Sequence, residues 1–158
     1  MPVEIGEKAP EFTLFDSQKN EVSLSDFRGR NVILLFYPLA FTEVCTEELC
    51  GMRDALHYYN DFDTDVLAIS VDTAFSLEKY RQEQSYNFPL LSDYNKEVST
   101  DYDVLYEVFA LGMRGVSKRA VFLIDREGIT RHKEVLENAM ELPDFNKLQT
   151  ELKIINSI

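Results

Sequence analysis

Apolar residues along the chain follow two different periodicities. The segments 31–37, 65–71 and 119–124 are apolar at most positions, which is typical of strands covered on both faces of a sheet. Segment 43–59 instead places its apolar residues on one stripe at helical spacing: Cys45, Leu49, Met52, Leu56 and Tyr59. Strands that alternate with helices predict an α/β fold, with a mixed central sheet and helices on both faces.

Shorter elements complete this prediction. Thr73 is placed to cap a helix that runs to about residue 85, and Pro143 is placed to open a last helix. The turn at 125–128 predicts a hairpin that leads into a strand at 129–135. Short strands are expected at 12–15 and 22–24, an extended segment at 88–91, and a short helix at 96–102.

Composition narrows the classes of function. With 158 residues, 45% of them hydrophobic and 28% charged, the chain fits a single globular domain over 1–158. Its 28 Asp and Glu outnumber 16 Lys and Arg, and the net charge of -12 opposes binding to nucleic acids and anionic membranes. The longest apolar run, 32–41, has about half the ~20 residues of a membrane helix. The first residues show no leader pattern, so a cytoplasmic location is expected.

Cysteine and histidine are scarce. The 2 cysteines cannot build a disulfide framework, and the 2 histidines do not cluster with them as zinc ligands would, so no metal site is predicted. His57 and His132 have polar neighbours in the sequence, and both are expected at the surface.

Cys45 stands out by its place at a strand-to-helix junction. The predicted strand ends at Pro38, and a short loop through Thr42 leads into a helix whose first turn carries Cys45. A helix N-terminus offers free N–H groups and a partial positive charge, which favour a nucleophilic thiolate. The carboxyl ends of central strands are also where open α/β sheets usually hold their sites. The alternatives are an inert cysteine on the apolar stripe and a purely structural N-cap at Thr42.

Acidic residues crowd the first turns of the same helix: Glu43, Glu47 and Glu48. They favour the helix but oppose a neighbouring thiolate, so a cation should compensate. Arg119 is the best candidate, because a strand at 119–124 that runs antiparallel to 31–37 begins beside the cysteine loop. The alternative for Arg119 is a surface ion pair of little energetic value.

Cys50 follows Cys45 by five residues. On an intact helix this spacing turns the chain ~140° past one revolution and separates the two Cα atoms by more than about 8 Å. A disulfide needs them within about 7 Å, so bridging requires the first turns to unwind. Cys50 lies off the apolar stripe and is expected to be the more accessible cysteine, unless it is an incidental small residue.

Together these residues resemble the signature of peroxiredoxins. The pattern Pro-x-x-x-Thr-x-x-Cys is met by Pro38, Thr42 and Cys45, and the distant arginine of the family by Arg119. Further similar segments lie at 6–14, 88–93 and 123–128. The position of the second cysteine resembles the peroxiredoxin Q group, also called bacterioferritin comigratory proteins. The segment 38–42 is more similar to the AhpE type, which often works with a single cysteine.

The resemblance implies a thioredoxin-like fold and a thiol peroxidase that reduces hydrogen peroxide and organic hydroperoxides. Cys45 would be the peroxidatic nucleophile and would become a sulfenic acid. Thr42 and Arg119 would hold the peroxide and stabilise charge as the O–O bond stretches. Pro38 would shield the thiolate from water, and Glu48 would orient Arg119.

In the second half of the implied cycle, Cys50 would resolve the sulfenic acid as an intramolecular disulfide, and a thioredoxin-type dithiol would reduce it. No cofactor is needed, since the chemistry requires no metal, haem or flavin. Peroxide is neutral, so the charge of -12 does not repel it. The chain is expected to act as a monomer or a homodimer.

Other functions share parts of this pattern. A single-cysteine peroxidase would leave Cys50 without a resolving role. A thioredoxin-like disulfide exchanger would share the fold, but the spacing C-x4-C differs from the usual C-x-x-C. A non-catalytic redox sensor would share the first oxidation step. Glutathione peroxidases use a Trp near the site, and this chain has 0 Trp.

Overall fold

A computed structural model describes residues 3–157, and its elements follow the predicted alternation of strands and helices. The strands are β1 (Thr13–Asp16), β2 (Glu21–Ser23), β3 (Asn31–Phe36), β4 (Thr64–Ser70), β5 (Leu90–Ser92), β6 (Arg119–Ile124) and β7 (Thr130–Leu136). The α-helices are α1 (Glu43–Asn60), α2 (Ala74–Gln84), α3 (Glu97–Asp101) and α4 (Phe145–Asn156). Two 3-10 turns, Leu24–Phe27 and Ala110–Gly112, were not predicted.

All seven strands join one mixed sheet in the order β2-β1-β5-β4-β3-β6-β7. The three central strands β5, β4 and β3 are parallel to one another, whereas β6 runs antiparallel to β3 and β7 antiparallel to β6. The register pairs Phe36 with Ala120, so the start of β6 lies beside the end of β3. This arrangement brings the first residue of β6 to the loop that leads into α1.

Alternate residues of the central strands supply two separate apolar cores. On one face, Ile33, Leu35, Val121 and Leu123 pack with residues from α1, α2 and α4. On the other face, the intervening residues of these strands pack with α3 and with the N-terminal segment. Helices therefore lie on both faces, as predicted, with the three long ones sharing a single core. No helix within residues 3–157 is long and apolar enough to cross a membrane.

Two sequence predictions need correction. The last helix begins at Phe145 and not at Pro143, because the Asp144 side chain caps it by accepting a hydrogen bond from the backbone N–H of Lys147. His132 is only 9% exposed, because β7 places it on the same face of the sheet as its partner Leu123, which packs with α4. Its burial lowers the pKa of His132, against the opposing effect of nearby acids such as Glu151. His57 is exposed, as predicted.

Candidate active site

The loop between β3 and α1 is held in a fixed and partly strained shape. The backbone N–H of Ala40 donates to Asp72 Oδ2 at 2.8 Å, which ties the loop to the end of β4. Phe41 has a φ of 67°, in the left-handed region that costs a non-glycine residue on the order of 1 kcal/mol. Its ring packs 4.8 Å from that of Tyr80, a contact that helps to hold this conformation. These contacts therefore fix the conformation of the loop that precedes α1.

Cys45 lies in the first turn of α1 and is only 1% exposed. Thr42 occupies the N-cap position of this helix, but its hydroxyl makes no capping hydrogen bond. It donates instead to the carbonyl of Leu39 at 2.8 Å. Pro38 is buried at the beginning of the loop. The sulfur of Cys45 thus lies at the positive end of a helix of 18 residues, under a cover that limits water.

Arg119 reaches the cysteine from β6. Its guanidinium donates from Nη2 to Cys45 Sγ at 3.3 Å and from Nη1 to Glu48 Oε1 at 2.8 Å. Nη2 also donates to the backbone carbonyl of Ala139 at 2.9 Å. Arg119 is only 1% exposed, so these contacts are screened little by solvent. Because β6 runs antiparallel to β3, the strand-direction argument placed Arg119 correctly.

Burial and charge oppose each other in the pair formed by Glu48 and Arg119. Burial raises the pKa of Glu48 from 4.5 to about 7, although the Arg119 charge pulls it down. Burial also acts to lower the pKa of Arg119, but Glu48 and Cys45 outweigh it and hold that pKa above its ordinary value. Arg119 therefore stays cationic beside the sulfur. Within residues 3–157, Glu48 Oε2 and Arg119 Nε have no hydrogen-bond partner.

Cys50 faces a different element. Its side chain is partly buried, more accessible than Cys45, and both cysteines are free thiols. Cys50 Sγ donates to Gln84 Oε1 at 3.5 Å and lies 3.8 Å from the hydroxyl of Tyr86. Cys45 thus packs toward β6, whereas Cys50 packs toward the end of α2.

Of the residues singled out in the sequence, the structure brings Cys45, Glu48 and Arg119 into one hydrogen-bonded group. Pro38 and Thr42 lie in the loop that precedes them, and Cys50 lies apart from the group. Two residues that hold this site in place, Asp72 and Ala139, were not identified from the sequence. Asp72 follows the parallel neighbour of β3, and the rule that sites collect at carboxyl ends of strands would have suggested it. Ala139 acts through its backbone carbonyl, which leaves no signal in the sequence.

Comparison with known proteins gives a consistent result. The model of the AhpC/TSA family matches residues 5–133. Alkyl hydroperoxide reductase E of Mycobacterium bovis is 39% identical over 134 residues, which cover 83% of this chain and 84% of that protein. The mitochondrial thioredoxin-dependent peroxide reductase of Drosophila melanogaster is 34% identical over 165 residues, with 98% of this chain and 67% of that protein covered.

A solved structure shares the whole architecture. The crystal structure of the peroxidoxin BcpB from Mycobacterium tuberculosis superposes with a TM-score of 0.86 at 27% identity, and the match covers 97% of this chain and 98% of that one. A chain with this sheet, a buried cysteine at a helix N-terminus and these relatives belongs to the AhpC/TSA family and is a peroxiredoxin.

Proposed function

We propose that this peroxiredoxin reduces hydrogen peroxide and organic hydroperoxides through Cys45. The observation that carries the proposal is the distance of 3.3 Å between Arg119 Nη2 and Cys45 Sγ, in a group that solvent barely reaches. A buried guanidinium at this distance can pair with the anionic sulfur that attacks peroxide, because solvent screens the contact little. It also offers further N–H donors to an anionic transition state.

The first step is a displacement at a peroxide oxygen. The Cys45 thiolate attacks one oxygen, so that an S–O bond forms while the O–O bond breaks. The leaving oxygen takes the electron pair and a proton and departs as water or an alcohol, and Cys45 becomes a sulfenic acid. The sulfur is oxidised by two electrons and the peroxide is reduced by two.

The surrounding groups stabilise the charge that moves between the oxygens. Arg119 and the N–H groups of the first turn of α1 donate to the developing oxyanion. Thr42 Oγ keeps its lone pairs free to accept from the attacked peroxide, because its own proton points to Leu39. Glu48 fixes the plane of the guanidinium, and Pro38 keeps water from the sulfur.

In the second step, α1 opens at its N-terminal turns and Cys50 attacks the sulfenic acid to give a Cys45–Cys50 disulfide and water. A thioredoxin-type dithiol then reduces the disulfide by exchange. Two relatives support different parts of this proposal. The Drosophila relative is named a thioredoxin-dependent reductase. The mycobacterial relative is an alkyl hydroperoxide reductase, which supports organic hydroperoxides as substrates. Whether the chain works as a monomer or a homodimer stays a prediction.

Intact mass of the peroxide-treated protein tests the cycle. One equivalent of hydrogen peroxide is expected to remove two hydrogens from the wild-type chain, and thioredoxin with its reductase is expected to restore the starting mass. Cys50→Ser should instead gain one oxygen, and Cys45→Ser should consume no peroxide. A stable added oxygen in the wild type would support the single-cysteine alternative. Oxidation without repeated turnover under reductant would support a sensor.

A further inference from the structure

A row of polar contacts joins the N-terminal half of α1 to α2. Thr46, Cys50 and Arg53 are spaced by four and three residues, so successive turns of α1 present them to the same side. Thr46 Oγ1 lies 2.8 Å from the hydroxyl of Tyr80, Cys50 Sγ donates to Gln84 Oε1 at 3.5 Å, and Arg53 Nη1 donates to the Gln84 carbonyl at 2.6 Å. We call this row the α1–α2 seam.

Gln84 holds the centre of the α1–α2 seam. It is the last residue of α2, and it contacts α1 both through its side chain and through its backbone carbonyl. Because its Oε1 atom only accepts, the contact with Cys50 needs the protonated thiol. The nearby Tyr86 remains a neutral phenol, since burial and its neighbour Tyr80 raise its pKa well above the usual value. Neither of these two partners carries a positive charge, and the guanidinium of Arg53, in the same row, donates to Asp54 and to the Gln84 carbonyl.

The two cysteines therefore make different direct contacts from one helix. Cys45 meets a cation, whereas Cys50 meets a carbonyl acceptor and a phenol. We infer that Gln84 is a positioning residue that keeps Cys50 docked on α2 as an unreactive thiol until the N-terminal turns of α1 open. The contact thereby sets how fast Cys50 becomes available.

The consequence for disulfide formation rests on the function proposed above. Closure requires the Cys50 sulfur to lose its proton and form a bond with the Cys45 sulfur, while the S–O bond of the sulfenic acid breaks and hydroxide leaves as water. Before that attack the Gln84 contact must break. Weakening it should speed closure and leave less time for a second peroxide to convert Cys45 to a sulfinic acid.

Alkylation of Cys50 tests the positioning role without any peroxide. In the Cys45→Ser background, iodoacetamide labelling followed by mass spectrometry is expected to proceed roughly 5-fold faster in Gln84→Met, as the loss of one net hydrogen bond predicts. Gln84→Glu retains an acceptor and should label no faster than the parent. Gln82→Met is a matched control on the exposed side of α2 and should behave like the parent.

Equal labelling in Gln84→Met and the parent would overturn the inference, and so would equal acceleration in Gln84→Met and Gln84→Glu. A control tests whether Gln84→Met loosens α1 as a whole. In that case Gln84→Met would also accelerate labelling of Cys45 in the Cys50→Ser background. Such an increase would likewise count against a specific role of Gln84.

The rate of disulfide closure separates this inference from the proposed function. After one equivalent of peroxide and an acid quench, Gln84→Met with both cysteines present is expected to close roughly 5-fold faster than the wild type. If neither protein closes while labelling still responds to Gln84, the resolving role of Cys50 fails and the positioning role stands. If both close at the same rate, the positioning role fails and the resolving role stands.

Discussion

The carboxylate of Glu48 makes the stability of this protein depend on pH in an unusual direction. A carboxyl group with a raised native pKa stabilises the fold when it is protonated, and that contribution is complete below the unfolded value of 4.5. It is lost as the pH rises through the native value of about 7. At about 1.4 kcal/mol for each pKa unit, the loss between pH 4.5 and pH 8 amounts to about 3 kcal/mol.

Glu48→Gln removes this titration while it keeps an oxygen that can accept from Arg119. The free energy of unfolding of the reduced protein is measured in urea at several pH values between 4.5 and 8. Circular dichroism follows the unfolding, because the chain has 0 Trp. The wild type is expected to lose about 3 kcal/mol more than Glu48→Gln across this range, since only the wild type ionises a buried carboxyl there.

The Cys45→Ser background provides the control, because it removes the sulfur that contacts Arg119. The difference between the proteins with and without the Glu48→Gln substitution should persist there. Parallel pH curves for the two proteins would refute the reasoning, because they would mean that Glu48 ionises in the fold as easily as in water. A steeper loss in Glu48→Gln would refute it as well.

Three further predictions concern the site and its supports. Arg119→Ala should lower the second-order rate of Cys45 oxidation by roughly 100-fold in stopped-flow assays, because it removes a charged donor to the transition state. The rate of Arg119→Lys should fall between those of Arg119→Ala and the wild type. An unchanged rate in both variants would mean that Arg119 has only a structural role. Asp72→Ala removes the acceptor for the Ala40 N–H. It should lower the free energy of unfolding in urea by roughly 1–3 kcal/mol and should slow peroxide consumption. A loss of stability with normal kinetics would show that the reaction does not need this anchor of the loop between β3 and α1. His132→Gln should reduce the loss of folding stability in acid. Because the native pKa of His132 is lowered, the contribution of His132 to stability is complete above about pH 6.5 and declines as the pH falls below that value. Identical curves of stability against pH for the two proteins would contradict this.

Much of the fold followed from the sequence because its long elements carry strong local patterns. The runs that form β3, β4 and β6 have few polar interruptions, and α1 shows a continuous apolar stripe. The approach of Arg119 to Cys45 also followed, since strand direction alone decides which end of β6 meets the loop.

Contacts between elements that are distant in the sequence could not be predicted from local sequence patterns. The burial of His132 depends on α4 covering β7, and the polar neighbours of His132 in the sequence suggested the opposite. Gln84 meets Cys50 only because the end of α2 lies beside α1, and neither residue carries a pattern that indicates its partner. Ala139 lies in an irregular segment and contacts Arg119 through its backbone carbonyl, so its side chain gives no indication of this role.

The dependence of the site on strand register has a consequence for the newly made chain. Arg119 follows Cys45 by 74 residues, so at ~5–20 residues per second the ribosome adds it ~4–15 s later. Until β6 has paired beside β3, the cysteine lacks its guanidinium. A slip of one residue in that pairing would turn the arginine to the opposite side of the sheet. Under the proposed function, nascent and misregistered chains would therefore react slowly with peroxide, and rapid turnover would begin only after the molecule has finished folding.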